Sequence, residues 1–399
     1  MAITINDTPE DYAPVYNKME YLLSSTNTAQ PDFSFVADIY INGSGTKAAR
    51  LFPQLRPSDS KGVVDIHRVL EATLTTDLGD ITSILGTNDT SNTLLNYVVK
   101  FGEQYGGTIY PDLTVDSTRY AINASLDKRD WINWDFTNDY DLRGAGSKFL
   151  TNSPSTLYTG INDYGWLYYA TSLANITDFY VSTYDSSGTL IGNWEIDTPA
   201  TSTIQYVASS PASLNLIDNT DLLAGVQPII TSSVDYYTIY ARVVGVQRSE
   251  TKTFQIRESC KSEYKRLIFL NELGGFDAFN FYLTNNSTTS VEKKMMKVNP
   301  DNVSGTSLVY SLSDKEKVQY YTKTTETIQL TSDWLTEEED SWLLELISSP
   351  EIYLQTDDGL EYIAKVVETS HKKRKHVSEK LFNLTINIEV GYDNYRQRG

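Results

Sequence analysis

The run Arg266-Leu267-Ile268-Phe269-Leu270-Asn271-Glu272-Leu273-Gly274-Gly275-Phe276-Asp277-Ala278-Phe279-Asn280-Phe281-Tyr282-Leu283 constrains this chain more than any other. Two stretches rich in Phe, Leu and Ile flank a glycine pair. The first apolar stretch is short and β-compatible, and the second alternates, so the pattern reads as strand, tight turn and strand. Gly274 and Gly275 can take a positive φ without a Cβ clash, which makes them the candidate structural turn. The segment carries no acid–base pair and no activated nucleophile, so on its residues alone it is a buried β-hairpin.

The remaining sequence extends this β character. Tyr is abundant, with 28 residues in a chain of 399, and Tyr and Thr favour strands. Asn, Asp and Ser supply turns throughout. Phe33, Phe35, Ala37, Ile39 and Ile41 share one parity of an alternating run, followed by a turn at Asn42-Gly43-Ser44-Gly45 and a strand from Ala48 to Leu55. Further strands are expected at 94–105, 120–126, 165–171, 178–184, 192–197, 203–208, 235–246 and 251–256. Residues 310–330 read as extended. Gly62 to Leu74 is ambiguous, because Val63, Ile66, Val69 and Leu70 have helical spacing.

One helix stands out. Thr336-Glu337-Glu338-Glu339 matches a capping box, in which residues 336 and 339 satisfy each other's free backbone N–H groups. Leu335, Trp342, Leu343, Leu346 and Ile347 form an apolar stripe, and Pro350 stops the helix. Strands at 352–355, 362–368 and 381–390 follow. The expected fold class is mainly β: two β-sandwich-like domains plus a C-terminal α+β domain with one clear helix. The expected boundaries are 1–130 for an N-terminal arm and sandwich, 131–258 for a second sandwich, and 259–399 for the domain with the Gly-Gly hairpin. The terminal segments 1–32 and 391–399 read as extended pieces that order on neighbouring subunits.

Charge narrows the function classes. The net charge is −19 and the pI about 4.6. A phosphate-binding surface needs clustered Lys and Arg, so nucleic-acid binding as a main role is not expected. Residues 259–399 hold 17 basic against 22 acidic side chains, which leaves −14 on residues 1–258. The strongest local contrast is Lys372-Lys373-Arg374-Lys375. It is either a solvated loop between strands or an electrostatic contact with an acidic neighbour, such as another copy of this chain.

Cys260 is the single cysteine, so no intramolecular disulfide is expected. Met1 to Asp7 lacks a basic region followed by an apolar core, so no signal peptide is expected. No apolar stretch approaches the length of a membrane span. His67, His371 and His376 stand in no zinc-ligand spacing. Gly43-Ser44-Gly45-Thr46-Lys47 and Gly144-Ala145-Gly146-Ser147-Lys148 lack phosphate-loop spacing.

Paired carboxylates are the one catalytic candidate. Asp135, Asp139 and Asp141 lie among Trp131, Trp134 and Tyr140, and carboxylates beside aromatic rings are the parts of a sugar cleft. In a chain this acidic, a structural loop with aromatic anchors explains the same residues. Trp131 and Trp134 are therefore the candidate glycan contacts, and neither a catalytic residue, a cofactor site nor a metal site is expected.

The hairpin string resembles segments of virion structural proteins from tailed phages that infect Bacteroidetes, of which the crAss-like phages are the best-known group. Three other blocks are similar to the same proteins: Ala13-Pro14-Val15-Tyr16-Asn17 with Ser25-Thr26-Asn27-Thr28 and Phe33 to Tyr40; Trp334 to Leu343; and Ser348-Ser349-Pro350-Glu351-Ile352-Tyr353-Leu354. The middle, about 130–258, carries no such block. The resemblance implies a non-enzymatic subunit of the tail or neck, made in the host cytoplasm and assembled in a ring. Its implied partners are copies of itself and adjacent ring or portal-proximal proteins, with no membrane. The alternatives left by the residues are a glycan-binding, adhesin-like module and, further off, a glycoside hydrolase. Neutralising Lys372, Lys373, Arg374 and Lys375 tests the contact reading. Assembly measured at low and high salt is expected to weaken at low salt, and unchanged assembly removes the contact.

Overall fold

The computed structural model describes residues 3–43, 45–75, 78, 93–171, 177–198, 204–257, 264–283, 285–298, 303–356, 359–367 and 383–396. The protein is mainly β. It divides into two compact units, residues 1–258 with 270–278, and residues 259–269 with 279–399. The first unit thus combines the two expected sandwich regions and also takes in the tip of the Gly-Gly hairpin.

The first unit contains two hydrophobic cores. In the first, a three-stranded sheet of Ile3–Asp7, Glu20–Ser25 and Gly62–Asp65 faces a six-stranded sheet. The larger sheet runs Tyr12–Pro14, Arg119–Ile122, Leu94–Tyr105, Ser34–Ile41 and Lys47–Leu51, with Thr108–Val115 also paired to Leu94–Tyr105. Alternation in Leu94–Tyr105 turns Leu95, Tyr97, Val99 and Phe101 inward against Tyr21, Leu23 and Val64.

The N-terminal segment is not a free arm. Met19, Tyr21 and Leu23 are fully buried, because their two-residue spacing gives that strand one apolar face. Arg119 fixes the preceding stretch, donating to the Pro9 carbonyl at 2.8 Å and to Asp11 at 2.7 Å. The ambiguous Gly62–Leu74 segment splits: Gly62–Asp65 pairs with Glu20–Leu23, and only His67–Glu71 is helical. Sheet pairing overrides the helical spacing of Val63 and Ile66.

The second core lies between a seven-stranded sheet and the two-stranded sheet Trp166–Ala170 with Ile204–Ala208. Leu167, Tyr169 and Val207 meet Phe179, Val181, Tyr237 and Ile239. Both faces of the two-stranded sheet are buried. Its outer face carries Trp166, Tyr168 and Tyr206, and the hairpin tip packs there: Phe276 lies 6.3 Å from the Tyr168 ring.

That tip is closed by Asn271. Its Oδ1 accepts from the backbone N–H groups of Leu273 at 3.0 Å and Gly275 at 2.9 Å, and its Nδ2 donates to the Leu150 carbonyl at 2.9 Å. Gly274 sits at φ +84°, and a Cβ there would lie 2.4 Å from the Asn123 carbonyl oxygen. At Gly275 a Cβ would meet the Tyr168 ring at 2.9 Å.

The second unit is built on an eight-stranded sheet. The order is Phe276–Phe281, Lys265–Leu270, Ile352–Thr356, Gly359–Val366, Thr385–Val390, Lys317–Thr331 and Asn285–Lys297, with Asn394–Tyr395 also paired to Lys317–Thr331. The helix Glu337–Ser348 begins as its sequence predicts: Thr336 Oγ1 accepts from Glu339 N at 3.2 Å, and Glu339 Oε2 accepts from Thr336 N at 2.7 Å. Its buried Trp342 packs on Phe269 and Phe279, with ring centroids 5.7 and 6.0 Å away.

The tip geometry makes two substitutions diagnostic. Gly274→Ala is expected to destabilise the protein by at least about 2 kcal/mol, from strain at positive φ and the carbonyl clash. Asn271→Ala is expected to cost about 3 kcal/mol, because buried backbone groups lose their partner. Urea denaturation checks both, and a shift below about 0.5 kcal/mol for either contradicts the assigned role.

Candidate interaction surfaces

The loop expected to hold aromatic anchors contains two short helices, Lys128–Ile132 and Phe136–Asp139. Asp127 and Asp135 cap them, accepting from the N–H groups of Arg129 and Asn138. One candidate carboxylate, Asp135, is thereby engaged. Asp141 is fully buried and accepts from Arg143 Nε at 2.6 Å. Asp135 thus caps a one-turn helix, Asp139 is its last residue and Asp141 follows it.

Of the candidate glycan contacts, Trp134 is tied into the unit. Its indole N–H donates to the Tyr12 carbonyl at 2.7 Å, and its ring stacks on Tyr140 at 5.2 Å. Tyr12 in turn stacks between Tyr120 at 4.6 Å and Phe136 at 4.4 Å. Trp131 is half-buried. Lys372, Lys373, Arg374 and Lys375, with His371, His376 and Cys260, lie outside the described residues. Gly274 and Gly275 occupy the turn described above.

Lys252 and Asp38 are buried and paired, and Glu272 is half-buried. Lys252 donates to the Ser153 carbonyl at 2.7 Å and lies 3.5 Å from Glu250, and burial pushes its ammonium pKa below the ordinary value. Burial raises the Asp38 carboxyl, but two hydrogen bonds of 2.5 Å from Arg50, with Lys47 nearby, hold it below its ordinary range. Glu272 is pushed up by burial and by Asp130 and Asp127.

The outer face of the seven-stranded sheet is similarly self-paired. Tyr184 stacks on Tyr236, Tyr180 lies against Tyr240, and Arg242 covers the Tyr180 ring while bonding Asp178 and Glu195. A shallow recess of about 440 Å³ in the second unit is lined by Thr356, Leu360, Glu361, Tyr362 and Tyr392. Among the described residues, its one carboxylate is Glu361. Among the described residues, no group of three or more His, Cys, Asp and Glu side chains is placed to hold a metal ion.

The feature most exposed along its length is the ribbon formed by Asn285–Lys297 and Lys317–Thr331, in which Lys294 pairs with Glu292 at 3.3 Å and lies over the Tyr321 ring, and Lys323 pairs with Asp393 at 2.9 Å. Its register pairs Asn285 with Leu330 and Lys297 with Lys317. Thr385–Val390 supports Lys317–Thr331 only at residues 327–331, and Asn394–Tyr395 only at residues 323 and 324. Beyond Thr322, whose carbonyl accepts from Arg396 N at 3.1 Å, the ribbon is two-stranded among the described residues. At ~3.3 Å per residue, the stretch from Glu292 to Lys297 adds roughly 20 Å before the connecting loop. From Asn286 to Lys297 every residue is exposed, Val291, Met295 and Met296 included. Leu308, Val309, Tyr310 and Leu312, in the connection, are exposed as well. The extended reading of 310–330 anticipates one strand of this ribbon, while the Asn- and Thr-rich start of the other hides it.

No family model matches the chain, and no curated protein matches it.

Burial of Tyr12 has a pH consequence. Burial, then the nearby Tyr120 and Asp141, pushes its phenol from the ordinary 10.0 up to about 12. The folded state thus holds this proton more tightly than the unfolded chain. Its contribution is fully present below pH 10.0 and is lost as pH rises through about 12. Tyr12→Phe is expected to flatten the fall of unfolding free energy across that window. Denaturant titrations at stepped pH check this, and identical slopes for both proteins refute it.

Proposed function

We propose that this chain is a non-enzymatic structural subunit of a tailed-phage virion, built into the tail or neck as a ring of identical copies. The observation that carries this reading is the long ribbon, whose outer strand is exposed on both faces from Asn286 to Lys297 and has one strand partner among the described residues. An isolated two-stranded ribbon is marginal in water, so one of this length implies a neighbour. Exposed apolar side chains at its end point the same way. The sequence blocks around the Gly-Gly turn, the Trp334–Leu343 segment and the N-terminal strands add the resemblance to virion proteins.

Identical copies joined head to tail through one repeated contact form a ring when the rotation between them closes, and the proposed subunit uses such a contact. Adjacent ring or portal-proximal proteins cover the remaining faces, and the −19 charge keeps DNA from being the principal partner. A glycan-binding role draws less support, since Trp134 spends its N–H on Tyr12 and its ring on Tyr140. Native mass spectrometry of the purified full chain, with imaging of the assembled particle, is the test. One closed copy number is expected. A chain that stays monomeric alone and with its virion partners overturns the reading.

A further inference from the structure

The end of the ribbon carries a charge pattern that the ion pairs Lys294–Glu292 and Lys323–Asp393 explain only in part. Lys297 and Lys317 are direct partners across the strands. Like charges at opposed positions destabilise a strand pair. Lys293 and Lys315 are exposed nearby. Across residues 291–298 and 315–323 there are six lysines and two acidic residues, in a chain whose net charge is −19. The basic end therefore differs in sign from the protein as a whole. It is flanked by exposed Met295, Met296 and Leu308, so it offers apolar contact beside positive charge.

We infer that the distal ribbon is a grip for a second copy of this chain, seating the Lys297–Lys317 rung and its neighbouring lysines on that copy's acidic surface. The inference rests on the self-assembly reading above and names the contact that performs it. Charge complementarity selects the occupant. Residues 1–258 carry −14, so a second copy supplies the anionic surface that relieves the opposed lysines. Nucleic acid also offers anions, but the same −14 would be brought against its phosphates. Apolar side chains at the ribbon end suit a protein surface better than a phosphate backbone.

The opposed rung gives a test in which fold and assembly move in opposite directions. Lys297→Glu places an opposite charge across from Lys317, which favours the ribbon itself. The same change puts a carboxylate against the acidic surface of the second copy. Sedimentation velocity on the full chain, at about 50 mM and about 1 M sodium chloride, reads assembly. Circular dichroism and urea denaturation read the fold. The wild type is expected to assemble at low salt and weaken at high salt, and Lys297→Glu to weaken low-salt assembly roughly tenfold or more with stability unchanged or raised. Lys297→Glu/Lys317→Glu, which keeps a like-charge rung, is expected to weaken it further.

Assembly by Lys297→Glu as tight as wild type overturns the grip while leaving the self-assembly reading intact. A wild type that is monomeric at every salt concentration, alone and with its virion partners, removes both. Binding of duplex DNA that Lys297→Glu abolishes, with self-association unchanged, assigns the lysines to nucleic acid and overturns the grip.

Discussion

Asn271 holds a turn on which much of the first unit converges. Its side chain takes the backbone N–H groups of Leu273 and Gly275 and reaches the Leu150 carbonyl, so a polar reversal is buried without orphaned donors. Ser125 N donates to the Glu272 carbonyl at 2.8 Å, and Asp277 accepts from Thr151 Oγ1 at 2.7 Å. Segments following the first core and segments leading into the second thus bond the same nine residues. The tip also covers the outer face of the Trp166–Ala170 strand, whose inner face closes the second core. A larger side chain at Gly274 would press on the Asn123 carbonyl, so this convergence leaves no room for a Cβ.

The fold was legible wherever alternation or capping decided the local structure. Phe33 to Ile41 forms a strand, and Thr336 with Glu339 opens the helix in the predicted way. Legibility failed where partners distant in sequence made the choice. Glu20–Ser25 becomes a core strand because Ile3–Asp7 and Gly62–Asp65 flank it, partners that the local alternation of Met19, Tyr21 and Leu23 does not identify. Gly62–Asp65 is a strand for the same reason. The short helices after Asp127 and Asp135 were hidden in an aromatic loop, although each begins with an acidic cap of the ordinary kind. The hairpin tip's membership of the first unit depends on close approach to Asn123, Leu150 and Tyr168, all more than a hundred positions away.

The interaction surface was less legible than the fold. Aromatic residues beside carboxylates drew attention to Trp131 and Trp134, yet Trp134, Tyr140, Phe136 and Tyr12 pack on one another. The ribbon has no comparable signature. Its first strand opens with Asn285-Asn286-Ser287-Thr288-Thr289-Ser290, a composition that reads as a loop, and its lysines look like ordinary solvated charge. Only register sets Lys297 opposite Lys317. One-dimensional charge counting records an acidic chain, whereas strand pairing gathers six of its 33 basic residues at one end of the ribbon.

The outer strand of that ribbon also governs what the protein avoids. Asn285–Lys297 has one strand partner among the described residues and leaves its other edge open. Open edges template the addition of further strands, and lysines on them oppose it. Lys293, Lys294 and Lys297 fall within five positions of this edge, so an identical strand arriving alongside meets concentrated positive charge. Endless sheet growth, the hazard of any exposed β-edge at high subunit concentration, is thereby discouraged. The same residues that invite an unlike surface deny the ribbon its own likeness, which favours particles of bounded size over fibres.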